Sequence, residues 1–250
     1  MLYSGQGRVY AAVNQNGQPG PFRFLGNCST LNIQLSTQTE EHQESTSGLR
    51  LTDGRLTVQQ SATVQIVLDD FMVDNLAMGL YGQSATVAGG SVTDEPLPDG
   101  LQQGDIVRLR HPGVSSVVIR DSAGSPSTLS EGTDYRILSA SHGSIEIIGD
   151  LSGYTQPLVA DYEYAGYSRV GMFTSQPPER WLRFEGLNTA AGNAPVLVEL
   201  YRVLLDPLGQ LDLISDTFGS MEMSGSALYD SAAALDDTLG PFGRVIYLSE

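Results

Sequence analysis

The chain has 250 residues, of which 40% are hydrophobic and 8% aromatic, enough to bury a sizeable core. Thirteen basic residues stand against 29 acidic ones, a formal charge of −16, and every basic residue is Arg. That field works against gripping nucleic acid or anionic lipid, since affinity for phosphate is drawn largely from cations. A chain without Lys also has no Schiff-base lysine and no phosphate-loop lysine.

No apolar run reaches the ~18 residues that suggest a membrane span. The opening MLYSGQGRVYAAVNQNG has no basic segment followed by an apolar one, so no secretory signal is expected and synthesis is expected in the cytoplasm. Cys28 is the only cysteine, which excludes an intrachain disulfide. It reads as a small buried apolar residue, with an interchain disulfide as the alternative.

Residues 1–27 are rich in Gly, Gln, Asn and Pro and read as a flexible or extended N-terminal arm, with turn chemistry in NQNGQPGPF (14–22). Gly5-Gln6-Gly7 has the outline of a phosphate loop, but no strand precedes it and no helix pattern follows. From residue 28 to 39, Leu31, Ile33 and Leu35 alternate with Thr30, Asn32, Gln34, Ser36 and Gln38, the period of a half-buried strand. A polar loop, EEHQESTSG (40–48), follows. Residues 55–68 then alternate again, with Leu56, Val58, Ala62, Val64, Ile66 and Leu68 on one face and Thr57, Gln59, Ser61, Thr63 and Gln65 on the other. Two such strands around one loop predict a long β-hairpin whose open face is polar yet nearly free of charge.

The period changes in DDFMVDNLAMGLYG (69–82), where Phe71, Asn75, Met78 and Tyr81, with Met72, Leu76 and Leu80, recur at helical spacing. Asp69 or Asp70 is expected to cap this helix and Gly82 to end it. These carboxylates and Asp74 read as caps and favourable N-terminal charge rather than as a cation site. QSATVAGGSVTDEPLPDG (83–100) reads as a linker. Short strands are predicted at 105–111, 115–121, 134–138, 144–148 and 157–164, making a small β module inserted at 101–165.

ERWLRFEGLN (179–188) and APVLVELYRVLLD (194–206) read as a second long hairpin, followed by a tight turn at DPLG (206–209). In LVELYRV, Leu197, Glu199 and Tyr201 share one face, and Val198, Leu200 and Arg202 the other. QLDLISDTFGSMEMSGSALYD (210–230) reads as a further strand region broken near Gly219. Val245–Leu248 reads as a terminal strand that could leave the body and pair with a neighbour's sheet edge.

No catalytic, cofactor-binding or metal-ligating set is expected. His42, His111 and His142 lie in separate segments without ligand spacing. No nucleophile elbow, phosphate loop or dinucleotide fingerprint is present, and no pair among the 29 acidic residues stands out. Trp181, the only tryptophan, is assigned to the core or to a subunit contact.

The order of these parts resembles the major tail tube proteins of long-tailed, non-contractile bacteriophages. A glycine-rich arm is followed by the hairpin CSTLNIQLSTQTEEHQESTSGLRLTDGRLTVQQSATVQIVLDD and the helix FMVDNLAMGLYG. The phrases EGTDYRILSASHGSIEII and LVADYEY come next, then RWLRFEGLN and PVLVELYRVLLDPLGQLDLISD. The resemblance spans most of the chain. It implies a β-sandwich or barrel-like tail tube core, residues 1–100 and 166–250, with one flanking α-helix. Residues 101–165 form an inserted outer β module that the smallest members lack.

It further implies a structural virion protein, not an enzyme, that forms six-subunit rings whose inner sheets merge around a channel. Rings stack into the tail tube, through which DNA and the tape measure protein pass without a membrane or specific DNA binding. Tail terminator and tip proteins are the implied partners at its ends. On this reading Thr30, Asn32, Gln34, Ser36, Gln38, Thr57, Gln59, Ser61, Thr63 and Gln65 line the lumen, joined by Glu199, Asp212 and Asp216. Contacts between rings fall to Glu40, Glu41, His42, Gln43 and Glu44, to the arm from Tyr3 to Val13, and to Val245–Leu248. Two other readings stand beside it. One is a different ring-forming tail or baseplate component, or the tube of a related injection machine. The other is a surface carbohydrate-binding or adhesive β module, which would be monomeric with a cluster of exposed aromatics.

Overall fold

Strands dominate the computed structural model, which describes residues 2–248. In chain order it begins with β1 (Gly5–Gln15), β2 (Gln18–Pro19), β3 (Arg23–Phe24), β4 (Cys28–Gln43), β5 (Thr52–Leu68) and helix α1 (Val73–Gly79). Then come β6 (Ser84–Val87), β7 (Gly90–Pro96), β8 (Ile106–Arg108), β9 (Val114–Arg120), β10 (Tyr135–Ser139), β11 (Ser144–Ile147), β12 (Val159–Tyr164) and β13 (Tyr167–Val170). The chain closes with β14 (Arg180–Asn188), β15 (Ala194–Leu205), β16 (Met221–Ala227) and β17 (Gly243–Tyr247). Contacts divide it into two units, Met1–Ser84 with Val170–Glu250, and Ala85–Arg169.

The first unit is built on one antiparallel sheet ordered β2-β1-β14-β15-β16-β5-β4, with β3 added to β1 and β17 added to β15. Val9, Ile66, Leu182, Val203, Met221 and Met223 form its core, with Met78 of α1. The expected N-terminal arm is instead part of this sheet. β1 pairs with β14 from Gly5↔Asn188 to Val13↔Arg180, and Val9, Ala11 and Ala12 are buried. Its glycines serve packing, not flexibility: Gly7 lies opposite Gly186, where a Cβ would sit 2.3 Å from the Glu185 carbonyl oxygen. The C-terminal segment likewise stays at home, since β17 pairs with β15 from Val196↔Tyr247 to Leu200↔Gly243.

The helix is shorter than its periodicity suggested, and neither aspartate caps it. Met72 occupies the N-cap without a side-chain bond. Asp69 and Asp70 instead hold the start of β4: Asp70 accepts from the Asn27 backbone N–H at 2.7 Å, and Asp69 accepts from the Asn27 amide and the Ser29 hydroxyl at 2.6 and 3.0 Å. Asn75, fully buried, anchors α1 by donating to the Leu25 carbonyl at 2.7 Å. The helix ends before Gly82, at a Leu80 C-cap, and Tyr81 takes the left-handed conformation with φ 51°.

In the second unit, β10-β11-β8 and β7-β12-β9 are two antiparallel three-stranded sheets sharing one core that includes Val107, Ile119, Ile145, Ile147, Ala160 and Tyr162. Residues 83–100 are not the linker expected: they carry β6 and β7, and β7 pairs with β12. A Gly/Ser/Thr-rich composition concealed strands whose apolar content is supplied largely by their partners.

Candidate assembly surface

The β4–β5 hairpin is the largest feature of the first unit not absorbed into its core. Its strands run 16 and 17 residues, three times a usual strand. The register sets the polar residues directly across from one another: Asn32↔Gln65, Gln34↔Thr63, Ser36↔Ser61 and Gln38↔Gln59. Thr30 pairs with Val67 after a bulge at the strand start. Asn32 donates to Gln65 at 3.3 Å, and Gln65 in turn donates to Glu222 on β16.

A second bulge corrects one residue of this set. Gln38 pairs with Gln59 but Thr39 pairs with Thr57, leaving Val58 as the extra residue. Strand parity changes there, so Thr57 shares the face of Thr39 rather than that of Gln59.

The third strand of the polar face is β16, part of the strand region expected at 210–230 but not assigned to this face. Met221, Met223, Gly225 and Ala227 are buried while Glu222, Ser224 and Ser226 are exposed, opposite Val67, Gln65 and Thr63. The alternation in MEMSGSA was the available signal, and the break expected near Gly219 falls just before the strand begins. Asp212 and Asp216 lie on no strand but in the irregular segment 206–220, and Asp212 accepts from the Gln210 amide at 2.6 Å. That segment exposes Leu213, Ile214 and Phe218 almost completely.

Glu199 is also not on an open face. It is buried on β15 and accepts from Arg183 at 3.0 Å and Arg244 at 2.9 Å, clamping β14 and β17 to β15. A buried carboxylate needs such partners, because desolvation disfavours its charge. Trp181 packs on Tyr201 with ring centroids 4.8 Å apart, and its buried indole N–H has no acceptor among the described residues. Cys28 is half-buried rather than buried; burial is the main cause pushing its thiol pKa up.

Past Ala62 the hairpin loses its cover. β16 pairs with β5 only from Ala62 to Leu68, so both edges of the ribbon beyond that point lack a partner strand among the described residues. Leu35, opposite Ala62, and Leu56 and Val58 beyond it are exposed. The expectation that one face is buried therefore holds for the base of the hairpin and not for its outer half. Glu40, Glu41, His42 and Gln43 belong to β4, not to a loop, and pair with Leu56, Arg55, Gly54 and Thr52. The tip is residues 44–51. It is organised by Glu44, which accepts from the backbone N–H groups of Thr46 and Ser47 at 2.6 and 2.8 Å. Hydrogen bonds from Ser47 and Thr46 hold the Glu44 carboxyl pKa down to about 2.

The three histidines stay apart: His42 contacts Asp53 at 2.5 Å, His111 stacks on Tyr164, and His142 bonds Ser139 at 2.7 Å. No helix among the described residues is long and apolar enough to cross a membrane.

A family model described as "Protein of unknown function UCP028589" matches residues 2–246. The chain belongs to this family. The match spans both units. No curated protein matches the chain.

Proposed function

We propose that this chain is a structural protein that assembles with copies of itself into stacked hexameric rings, a tube of the kind that forms the tails of long-tailed, non-contractile bacteriophages. The observation that carries the reading is the outer half of the β4–β5 hairpin, which has two unpartnered edges and leaves Leu35, Leu56 and Val58 exposed. A lone two-stranded ribbon is marginally stable in water, and exposed edges invite pairing with other chains. Merging the ribbon into a neighbour's sheet removes both costs, and closing the ring removes the edges altogether.

In that assembly the polar face lines the channel: Thr30, Asn32, Gln34, Ser36 and Gln38 beside Gln59, Ser61, Thr63 and Gln65, with Glu222, Ser224 and Ser226 in place of the acids first expected. A wall of mostly neutral polar groups, with one carboxylate and no cation, hydrates well and does not hold phosphate, which suits DNA in transit with the tape measure protein. Glu40–Glu44, at the far end of the ribbon, meets the next ring, and the inserted unit takes the outer wall, where added mass does not block a channel.

The experiment replaces the tip, residues 44–51, with a two-residue turn. A folded subunit that no longer forms tubes is the expected result; normal tube yield would remove the tip from the contact between rings.

A further inference from the structure

In a chain this acidic, every arginine that is drawn out of solvent should find a carboxylate. Six arginines are partly buried: Arg23, Arg120, Arg180, Arg183, Arg202 and Arg244. Five stand within 4.0 Å of a carboxylate oxygen; Arg180 does not, and its guanidinium makes no side-chain hydrogen bond among the described residues. Burial and the nearby charge of Arg23 both push the Arg180 pKa down, only partly countered by Asp74. A partly desolvated cation beside a second cation, with no counter-charge of its own, is a costly arrangement unless something else supplies the anion.

The space for that anion is present. Arg180 lines a cavity of about 390 Å³ with Arg23, Gln83, Ser84 and Ser175, walled by Pro177 and Pro178. Such a volume lies in the range of about 300–1,000 Å³ usual for small-molecule sites. Asp74 also lines it, 3.9 Å from Arg23, so the formal charge of the lining is positive, against the sign of the whole chain. The Gln83 backbone N–H donates to the Thr174 hydroxyl at 2.9 Å, whereas the Gln83 side-chain amide and the hydroxyls of Ser84 and Ser175 make no hydrogen bond among the described residues and are available as donors. The rim is fixed: Tyr81 donates to the Leu205 carbonyl at 2.6 Å, and the Ser175 N–H donates to the Tyr81 carbonyl at 3.0 Å. A bulge next to Arg180, where Leu182 pairs with Leu200 but Arg180 with Val203, bends the sheet at this position, as bulges beside binding sites do.

We propose that this cavity binds a small oxyanion, a phosphate or carboxylate group held between the guanidiniums of Arg180 and Arg23. Arginine suits the task because its planar fork meets two oxygens of one such group at once. The ligand brings the missing negative charge, so binding and stability are linked: the anion-bound form is the more stable one.

The test uses calorimetric titration and thermal unfolding of the full chain in a buffer free of oxyanions, with inorganic phosphate and succinate as probes. At least one probe is expected to give saturable heat and to raise the unfolding temperature, and the preferred one assigns the group as phosphoryl or carboxylate. Arg23→Gln should weaken that binding about tenfold or more. Arg180→Met should abolish it while unfolding no earlier than wild type without anion, because the change removes an uncompensated charge. Three outcomes would each overturn the proposal: no saturable binding of either probe, an equal shift in Arg180→Met, or earlier unfolding of Arg180→Met in anion-free buffer.

Discussion

Leu35 and Ala62 face each other across the first hairpin, yet Leu35 is 75% exposed and Ala62 only 2%. Ala62 is the last residue of β5 to lie beside β16, opposite Ala227. One step further out, the same strand pair has no third strand. The boundary between what the subunit covers for its own stability and what it leaves uncovered runs between these two side chains.

Substitutions on the two sides of that boundary should therefore behave differently. Ile66→Ala, inside it, should cost about 2–5 kcal/mol, the usual range for emptying a buried aliphatic site. Leu35→Gln, outside it, should change monomer stability by no more than about 0.5 kcal/mol, as for other surface positions, while preventing assembly. Urea unfolding measures the first effect and sedimentation the second. A large loss of monomer stability from Leu35→Gln would mean that the outer hairpin is covered within the subunit.

The segment 206–220 offers a parallel case. Ile214 and Phe218 are fully exposed. The double change Ile214→Ser with Phe218→Ser should leave the unfolding temperature unchanged and weaken self-association. Sedimentation at rising concentration would show it; unchanged association would take this segment out of the interface.

Glu199 should behave as a clamp rather than as a channel wall. Glu199→Gln leaves Arg244 without its only carboxylate among the described residues and Arg183 with Glu185 alone. Because both guanidiniums are about one-third exposed, the cost should be on the order of 2–3 kcal/mol, below the 3–5 of a fully buried pair. Thermal or urea unfolding measures it, and a neutral result would mean the two arginines are satisfied by water.

Gly7 is one of the positions where the sheet leaves no room for a side chain. A Cβ there meets backbone of β14 rather than a movable side chain, so Gly7→Ala should destabilise by at least the ~1–3 kcal/mol typical of overpacking. Hydrogen exchange should show β1 losing protection first. Full protection of β1 amides in the variant would contradict the close pairing of Gly7 with Gly186.

The tip carries a pH signature. A carboxyl held down to about 2 when folded, against its usual 4.5, contributes order that is fully present above 4.5 and is lost as the pH falls through about 2. The Thr46 and Ser47 amide signals should stay constant from neutral pH to about 4.5 and move only below it. A Glu44 titration centred on 4.5 would show that its hydrogen bonds do not persist in solution.

Much of this was legible in the sequence, for a physical reason. Where one face of a strand is buried in its own subunit, as at Leu31 to Ile66, period-two alternation marks both strand and face. MEMSGSA carried the same mark. The pattern could not reveal whether an apolar face is covered, so Leu35 and Leu56 looked like core. Bulges are invisible to it as well, and one of them moved Thr57. The glycine-rich start was misread because close backbone approach and flexibility call for the same residue. Glu199 was misplaced because one of its two cationic partners, Arg244, comes from a strand outside the predicted hairpin. Arg180 left no local signal at all, since its isolation is a property of the folded neighbourhood.

The central claim is that the uncovered hairpin exists to be completed by other copies of the chain. Negative-stain electron microscopy of the purified protein across a wide concentration range, with mass measurement on the same samples, tests it most directly. Six-fold rings or tubes with an open channel are the result this account requires. Only monomers at every concentration, with neither rings nor tubes in the images, would contradict it.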